Sequence, residues 1–430
     1  MARTVIFDAT RIVERRNRMS PTGIDRVVLA YAGWLLSGSE RLMPVVNRAG
    51  NLVPLPRERL ARHVEDAHRS IASPGPSDEQ HENWRRLVAA LGSRPKGGQA
   101  LRAGSEPVLG GWVRRASAAA GLALRARANV LEHGACYLNV GHSGLERPGL
   151  LAGIVARGAV PVVMIHDLIP ISHPEFCGPL AADRHRLRVD GALEHAALII
   201  ANSNSTADDI TSYAKRHARR LPPIHVGLLG VEPSFLKPPT EPISAPPYFV
   251  CVGTIEPRKN LAFLLMIWRR LAERMGPLAP HLVLVGNRGW ENETVVDQLE
   301  RSHVVTSLVH EVANLGDCHV ASLVAGARAL LAPSLAEGFD LPVVEALSLG
   351  TPVIASDIPV HRELAPPAML IDPLDGPAWL AALKAAAVTP VRRSPYEPPT
   401  WESHFAGIRR VLALGEDNLA GAKEERLWFG

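Results

Sequence analysis

Two glutamates with seven residues between them, Glu337 and Glu345, sit in the stretch Ser334 to Gly350 of a 430-residue chain. Carboxylates accept hydrogen bonds from paired hydroxyls, which is what a sugar and a ribose present. An apolar run at 327–332 precedes them and reads as a buried strand. Pro342 predicts the first residue of a short helix, and Gly350 its stop. The unit is therefore strand, loop, helix. Its helix start leaves backbone N–H groups suited to an anionic or hydroxyl-rich ligand.

A second candidate lies in Val252 to Leu261, where Arg258 and Lys259 fall together at a loop-to-helix junction after Gly253. Fixed cations and a helix N-terminus would act there on one anion. The chain has six lysines against forty-one arginines, which draws attention to the lysine here; a surface charge pair is the alternative. Gly289-Trp290 follows another apolar run as a tight turn, with a structural role as one reading. His166 and Asp167 close the run 160–167 and so stand at a strand's carboxyl end; a structural histidine is the alternative. Thr22 and Gly23, inside Ser20 to Arg26, are placed at a helix start. A glycine there admits a phosphate closely, unless it marks an ordinary turn.

The elements that must hold these residues are plainest in the second half. Strands at 248–253, 281–286, 311–314, 327–332, 352–355 and 368–371 alternate with helices near 260–275, 292–302, 319–326, 342–349 and 376–387. Such alternation predicts an α/β, doubly wound parallel sheet whose ligands bind outside the carboxyl ends of the strands. Residues 1–232 read as a first domain, with strands at 135–140, 160–167 and 197–203. Its 57–134 stretch is expected as an irregular helical insertion. Six prolines in 233–247 mark a stiff linker, 248–390 forms the second domain, and 391–430 is a connector ending in a helix. Trp401, Phe405, Ile408 and Leu412 share one face of that helix.

Composition narrows the class. With 47% hydrophobic and 21% charged residues and no apolar run of about 20, the chain reads as a globular protein. The net charge of +4 allows anionic substrates or a phospholipid surface, and clustered nucleic-acid motifs are absent. Cys136, Cys177, Cys251 and Cys318 form no CxxC pair, so reduced thiols and a cytoplasmic setting are expected. Trp112 to Leu131 combines Leu122, Leu124 and Leu131 with Arg114, Arg115, Arg125 and Arg127. It reads as a helix docked on its own domain, or as one lying on the anionic inner face of the plasma membrane.

Taken together the motifs resemble the GT-B glycosyltransferases of family 4, retaining enzymes that use nucleotide sugars. The resemblance covers nearly the whole chain outside 57–134. It implies two Rossmann-like domains facing each other across a cleft, with the last helix crossing back to the first. It further implies that Glu345 binds the ribose and Glu337 the transferred sugar, with the amides of Phe339, Asp340 and Leu341 on that sugar. Arg258 and Lys259 would hold the diphosphate beside Gly253, Gly23 would admit it, and His166 would meet sugar or acceptor. Many members carry glycine where this chain has Asp340; the expected contact there is through backbone, so the departure is discounted.

Cleaving a glycosyl phosphate leaves negative charge that a metal or fixed cations must stabilise. The chain has no Asp-x-Asp triplet, so the expectation is no cofactor and no metal. The donor is expected to be an NDP-sugar, GDP-mannose or a UDP-sugar, and the acceptor a glycan or lipid-linked glycan of a bacterial surface polysaccharide. A GT-B sugar-nucleotide 2-epimerase and a non-catalytic scaffold of a polysaccharide assembly complex are the rival readings.

Overall fold

A computed structural model of the chain describes residues 4–15, 22–72, 78–92, 101–103, 131–237, 243, 245–389 and 394–413. Ser20, Pro21 and nearly all of the basic stretch 112–131 lie outside the described residues.

Two seven-stranded sheets carry the fold. The first-half strands are β1 (Thr4–Asp8), β2 (Arg41–Arg48), β3 (Asn51–Pro54), β4 (Arg102–Ala103), β5 (Cys136–Asn139), β6 (Val160–Ile165), β7 (Leu198–Ala201) and β8 (Ile224–Val226). The second half gives β9 (Tyr248–Val252), β10 (His281–Val285), β11 (Val309–Val312), β12 (Leu330–Ala332), β13 (Val353–Ser356) and β14 (Met369–Ile371). The first sheet runs β3-β2-β1-β5-β6-β7-β8, parallel throughout except for the β2–β3 hairpin. The second runs β14-β13-β12-β9-β10-β11-β4 and is all parallel. The near-continuous Val, Ile and Leu runs of the central strands follow from helices covering both faces. Each sheet turns its strand order around its first strand, β1 or β9, and there the loops at the carboxyl ends diverge and leave room for a ligand.

One strand crosses the expected boundary. β4 belongs to the 57–134 stretch, yet it completes the second sheet beside β11, with Glu311 N donating to Leu101 O at 2.9 Å. Only part of this stretch, expected as an irregular helical insertion, is described. It holds two helices, Arg57–Ala72 and Asp78–Gly92. Trp84 of the second stacks on His319 at 4.9 Å between centroids, so this segment ties the two halves together.

The C-terminal helix, Trp401–Ala413, lies against Gly23–Ser37 of the first domain. Tyr31 Oη and His404 Nε2 are 2.8 Å apart, and Trp34 stacks on Phe405 at 4.7 Å. Phe405 and Ile408 are buried, worth about 1.5–3 kcal/mol each relative to exposure. Short helices at His303–Leu308 and Pro359–Leu364 were not expected, because each presents less than two turns of periodic signal. Of the proline-rich linker, Pro233–Phe235 forms a 3-10 turn with Phe235 buried, so its start is packed and not a free spacer.

Candidate active site

The loop after β12 is tied to both domains by hydrogen bonds. Leu335 N donates to Arg258 O at 2.8 Å, which joins the two loops that carry the candidate residues. Gly338 then meets the first domain. Its carbonyl accepts from Ser203 Oγ at 2.8 Å and Thr206 Oγ1 at 3.3 Å. A Cβ built at Gly338 would stand 2.2 Å from the His166 carbonyl, so only glycine permits this approach. Helix Leu341–Ser348 follows, with Pro342 in its first turn.

Charge gathers on the second-domain side. Arg258 Nε lies 2.6 Å from Glu256, and its Nη1 pairs with Glu337. Lys259 Nζ lies 2.6 Å from Glu337 and 3.1 Å from Asp340. Both cations are therefore held by carboxylates, and Glu337 bridges them. Burial works against a charged Arg258 or Lys259, but the carboxylates outweigh it and both stay cationic. Gly253, at the end of β9, faces the Lys259 stem, with 3.1 Å from a built Cβ to Cε.

Glu345 sits one turn into the helix and is buried. Burial pushes its carboxyl up to about 7, although Arg26 pulls the other way. Arg26 comes from the first-domain helix Gly23–Ser37 and grips Asp317 of the second domain with two hydrogen bonds, at 2.5 and 2.7 Å. Neither partner was singled out from sequence. Arg26 stood inside the Ser20–Arg26 motif, but 291 residues separate the pair.

Around His166 the first-domain side presents neutral rings. His166 follows β6 and is buried, with Nε2 2.8 Å from the Val140 carbonyl. A carbonyl only accepts, so Nε2 carries the proton and Nδ1 is left as an acceptor. Burial pulls the ring's pKa down to about 4, so it stays neutral at physiological pH. His142, at φ +61 after β5, packs its ring 5.0 Å from His166 and 5.6 Å from His185. Burial, then the two neighbouring rings, hold His142 neutral as well. Asp167 Oδ1 accepts from Ile169 N at 3.0 Å, and its charge helps to raise Arg258 across the cleft.

Gly23 opens its helix behind a capping box of Thr22 and Asp25, with Arg11 Nε 2.6 Å from Asp25. A built Cβ at Gly23 finds only Leu341 Cδ1, at 3.9 Å. Packing does not require the glycine, and it faces the same helix start as Phe339 and Asp340. Trp290 is half exposed, and its Nε1 donates to the Phe176 carbonyl at 3.3 Å across the two domains. Asp340 holds more than the backbone role expected of it. It adopts φ +66 and is buried between Lys259 and His361.

These residues lie between the carboxyl ends of the parallel strands of the two sheets. Residues 246–387 match the family described as glycosyl transferases group 1. The serotype-specific mannosyltransferase WbdA of Escherichia coli is 30% identical over 229 residues, covering 49% of this chain and 27% of the relative. The O-antigen chain mannosyltransferase B of Escherichia coli is 36% identical over 129 residues, covering 30% of this chain and 33% of the relative. The chain thus spans roughly a quarter to a third of the length of these two curated relatives. Among solved structures, Anabaena Alr3699/HepE in complex with UDP and glucose superposes with a TM-score of 0.57 at 15% identity, over 98% of this chain and 100% of that one, which shows a shared fold. Among the described residues no helix is long and apolar enough to cross a membrane. The chain has a GT-B fold of two Rossmann-like domains, and its second domain matches the family described as glycosyl transferases group 1.

Proposed function

We propose that this chain is a retaining hexosyltransferase, mannosyl in the first instance, that moves a sugar from a nucleoside-diphosphate donor to a glycan or lipid-linked glycan during bacterial surface polysaccharide synthesis. The observation that carries the reading is the Arg258–Lys259 pair bridged by Glu337, set against the neutral His166 on the opposite domain. Two adjacent cations match a diphosphate, and a bridging carboxylate matches sugar hydroxyls. Glu345 takes the ribose, with Gly23 and Gly253 flanking the phosphates and the Phe339–Leu341 backbone on the sugar. The mannosyltransferase names of the relatives support the choice of sugar and of pathway.

In the proposed reaction the bond from the sugar C1 to the phosphate oxygen breaks, and its electron pair stays on the diphosphate. Arg258, Lys259 and the helix N-terminus stabilise that charge in place of a metal. The acceptor hydroxyl forms the new C1–O bond on the same face and gives its proton to the departing phosphate oxygen. Front-face attack is preferred to a double displacement because Glu256, Glu337 and Asp340 are all committed to ion pairs. His166, neutral, accepts a hydrogen bond from sugar or acceptor through Nδ1. The basic stretch 112–131 is proposed to bring the protein to lipid-linked acceptor at the inner membrane face; cosedimentation with anionic vesicles tests this.

Calorimetric titration of the pure protein with a panel of nucleotide sugars tests the donor assignment. Binding of one NDP-hexose, weakened by Glu345→Ala, is expected; no binding across the panel would refute it.

A further inference from the structure

Asp340 stands at φ +66, a backbone conformation that glycine enters freely and other residues rarely adopt. Its side chain is 2% exposed, and both oxygens are used. Oδ1 meets Lys259 Nζ at 3.1 Å and Oδ2 meets His361 Nε2 at 3.1 Å. The His361 ring is fully buried, and its Nδ1 lies 2.8 Å from the Ser356 carbonyl at the end of β13. A carbonyl and a carboxylate only accept, so both ring nitrogens carry protons and the ring is an imidazolium.

The charge states agree with that geometry. Burial alone would push Asp340 up, but Lys259 and His361 outweigh it and hold the carboxyl well below its usual range. Burial alone would pull His361 down, but the bond to Asp340 outweighs it and the ring titrates above an ordinary histidine. The other charged groups facing this row are Glu337, paired with Lys259; Arg258, paired with Glu337 and Glu256; and Glu345, whose carboxyl Asp340 helps to raise.

We infer that His361 and Asp340 are positioning residues of the donor site: the imidazolium fixes the Asp340 carboxylate, which in turn fixes the Lys259 ammonium for the diphosphate. The inference rests on the donor-site reading above. The side-chain bonds of both residues are spent on Lys259, on each other and on the Ser356 carbonyl, so these side chains act through Lys259. Their need follows from the competing partner. When a sugar engages Glu337, Lys259 loses part of its hold, and Asp340 is the anion that keeps Nζ in place. A glycine would satisfy the turn equally well, so the carboxylate is there for its charge and not for the backbone.

The test titrates the full chain with UDP and GDP, and separately with uridine and guanosine, in five forms: unaltered, Asp340→Gly, Asp340→Asn, His361→Ala, and His361→Ala with Asp340→Gly. Asp340→Gly is expected to stay folded and to keep the nucleoside affinity while losing about ten-fold in diphosphate affinity. Asp340→Asn, which tolerates the turn without the charge, should fall between. His361→Ala should weaken diphosphate binding in the parent but change it by less than about two-fold in the Asp340→Gly background, since its action runs through Asp340. Three outcomes would overturn the inference while leaving the donor site standing: Asp340→Gly binding diphosphate as the parent does, an equal loss of nucleoside and diphosphate affinity, or a His361→Ala effect undiminished in the glycine background. If the unaltered protein binds neither UDP nor GDP, the donor-site reading falls and the positioning role with it.

Discussion

The two faces of the cleft are built on the same plan and finished in opposite ways. Each is the carboxyl edge of a parallel sheet. On the first-domain face around His166 the rings are imidazoles kept neutral by burial, with His166 anchored to a carbonyl at 2.8 Å. On the second-domain face Arg258, Lys259, Glu256, Glu337, Asp340 and His361 form one ion-paired group. A buried neutral ring can meet a hydroxyl without changing protonation state. A buried cation persists only when paired, so this face keeps its cations ready by pairing them with carboxylates until a ligand supplies another anion. In the proposed donor site the faces would divide the work accordingly, with diphosphate and ribose on one and the reacting sugar's other side on the other.

The largest effect expected from breaking this contrast is on the charged face. Arg258→Ala should lower kcat by about 10²–10³ while the fold persists, because it removes a donor aimed at charge that develops in the reaction. Steady-state kinetics on the best donor measure it. Glu345→Ala should come next, weakening nucleotide binding by roughly ten- to hundred-fold with a smaller change in kcat, the loss of hydrogen bonds to a charged acceptor. Glu337→Ala is expected to show the reverse split, slowing transfer more than it weakens nucleotide binding.

The pH dependence sharpens the comparison further. Glu345 is raised by burial from 4.5 to about 7. The ionised form accepts from ribose hydroxyls, so nucleotide affinity should climb by up to about ten-fold per pH unit below 7 and level off above it. The sign for folding is opposite. A carboxyl raised in the folded state contributes stability that is present below its unfolded pKa and lost as pH rises through about 7. His166, held near 4, should add no inflection between pH 5 and 8. The smallest effect is expected from EDTA, which should leave the transfer rate unchanged; loss of activity restored by magnesium or manganese would show that the cations do not act alone.

The second sheet was legible because its signal is local. Helix and strand periods alternate from 248 to 388, and the loop residues follow each strand in sequence. The pairings that complete the site were not legible, because they join distant positions. Arg26 and Asp317 are 291 residues apart, and an arginine at a helix start carries no mark of its partner. His361 reads as an ordinary residue of a short helix until β13 brings it under Asp340. Asp340 itself was read as a harmless replacement for glycine, since a left-handed φ and a buried counter-ion are invisible in a single sequence. β4 was missed for a related reason: two residues give no alternation to count, and their partner strand lies in the other domain.

Transfer from a nucleotide sugar is measured most directly by following nucleoside diphosphate released by the pure protein from a panel of NDP-hexoses, with and without a lipid-linked glycan acceptor. Acceptor-dependent release from one donor, nearly lost in Arg258→Ala, is the predicted result. No release from any donor, or release undiminished in Arg258→Ala, would contradict it.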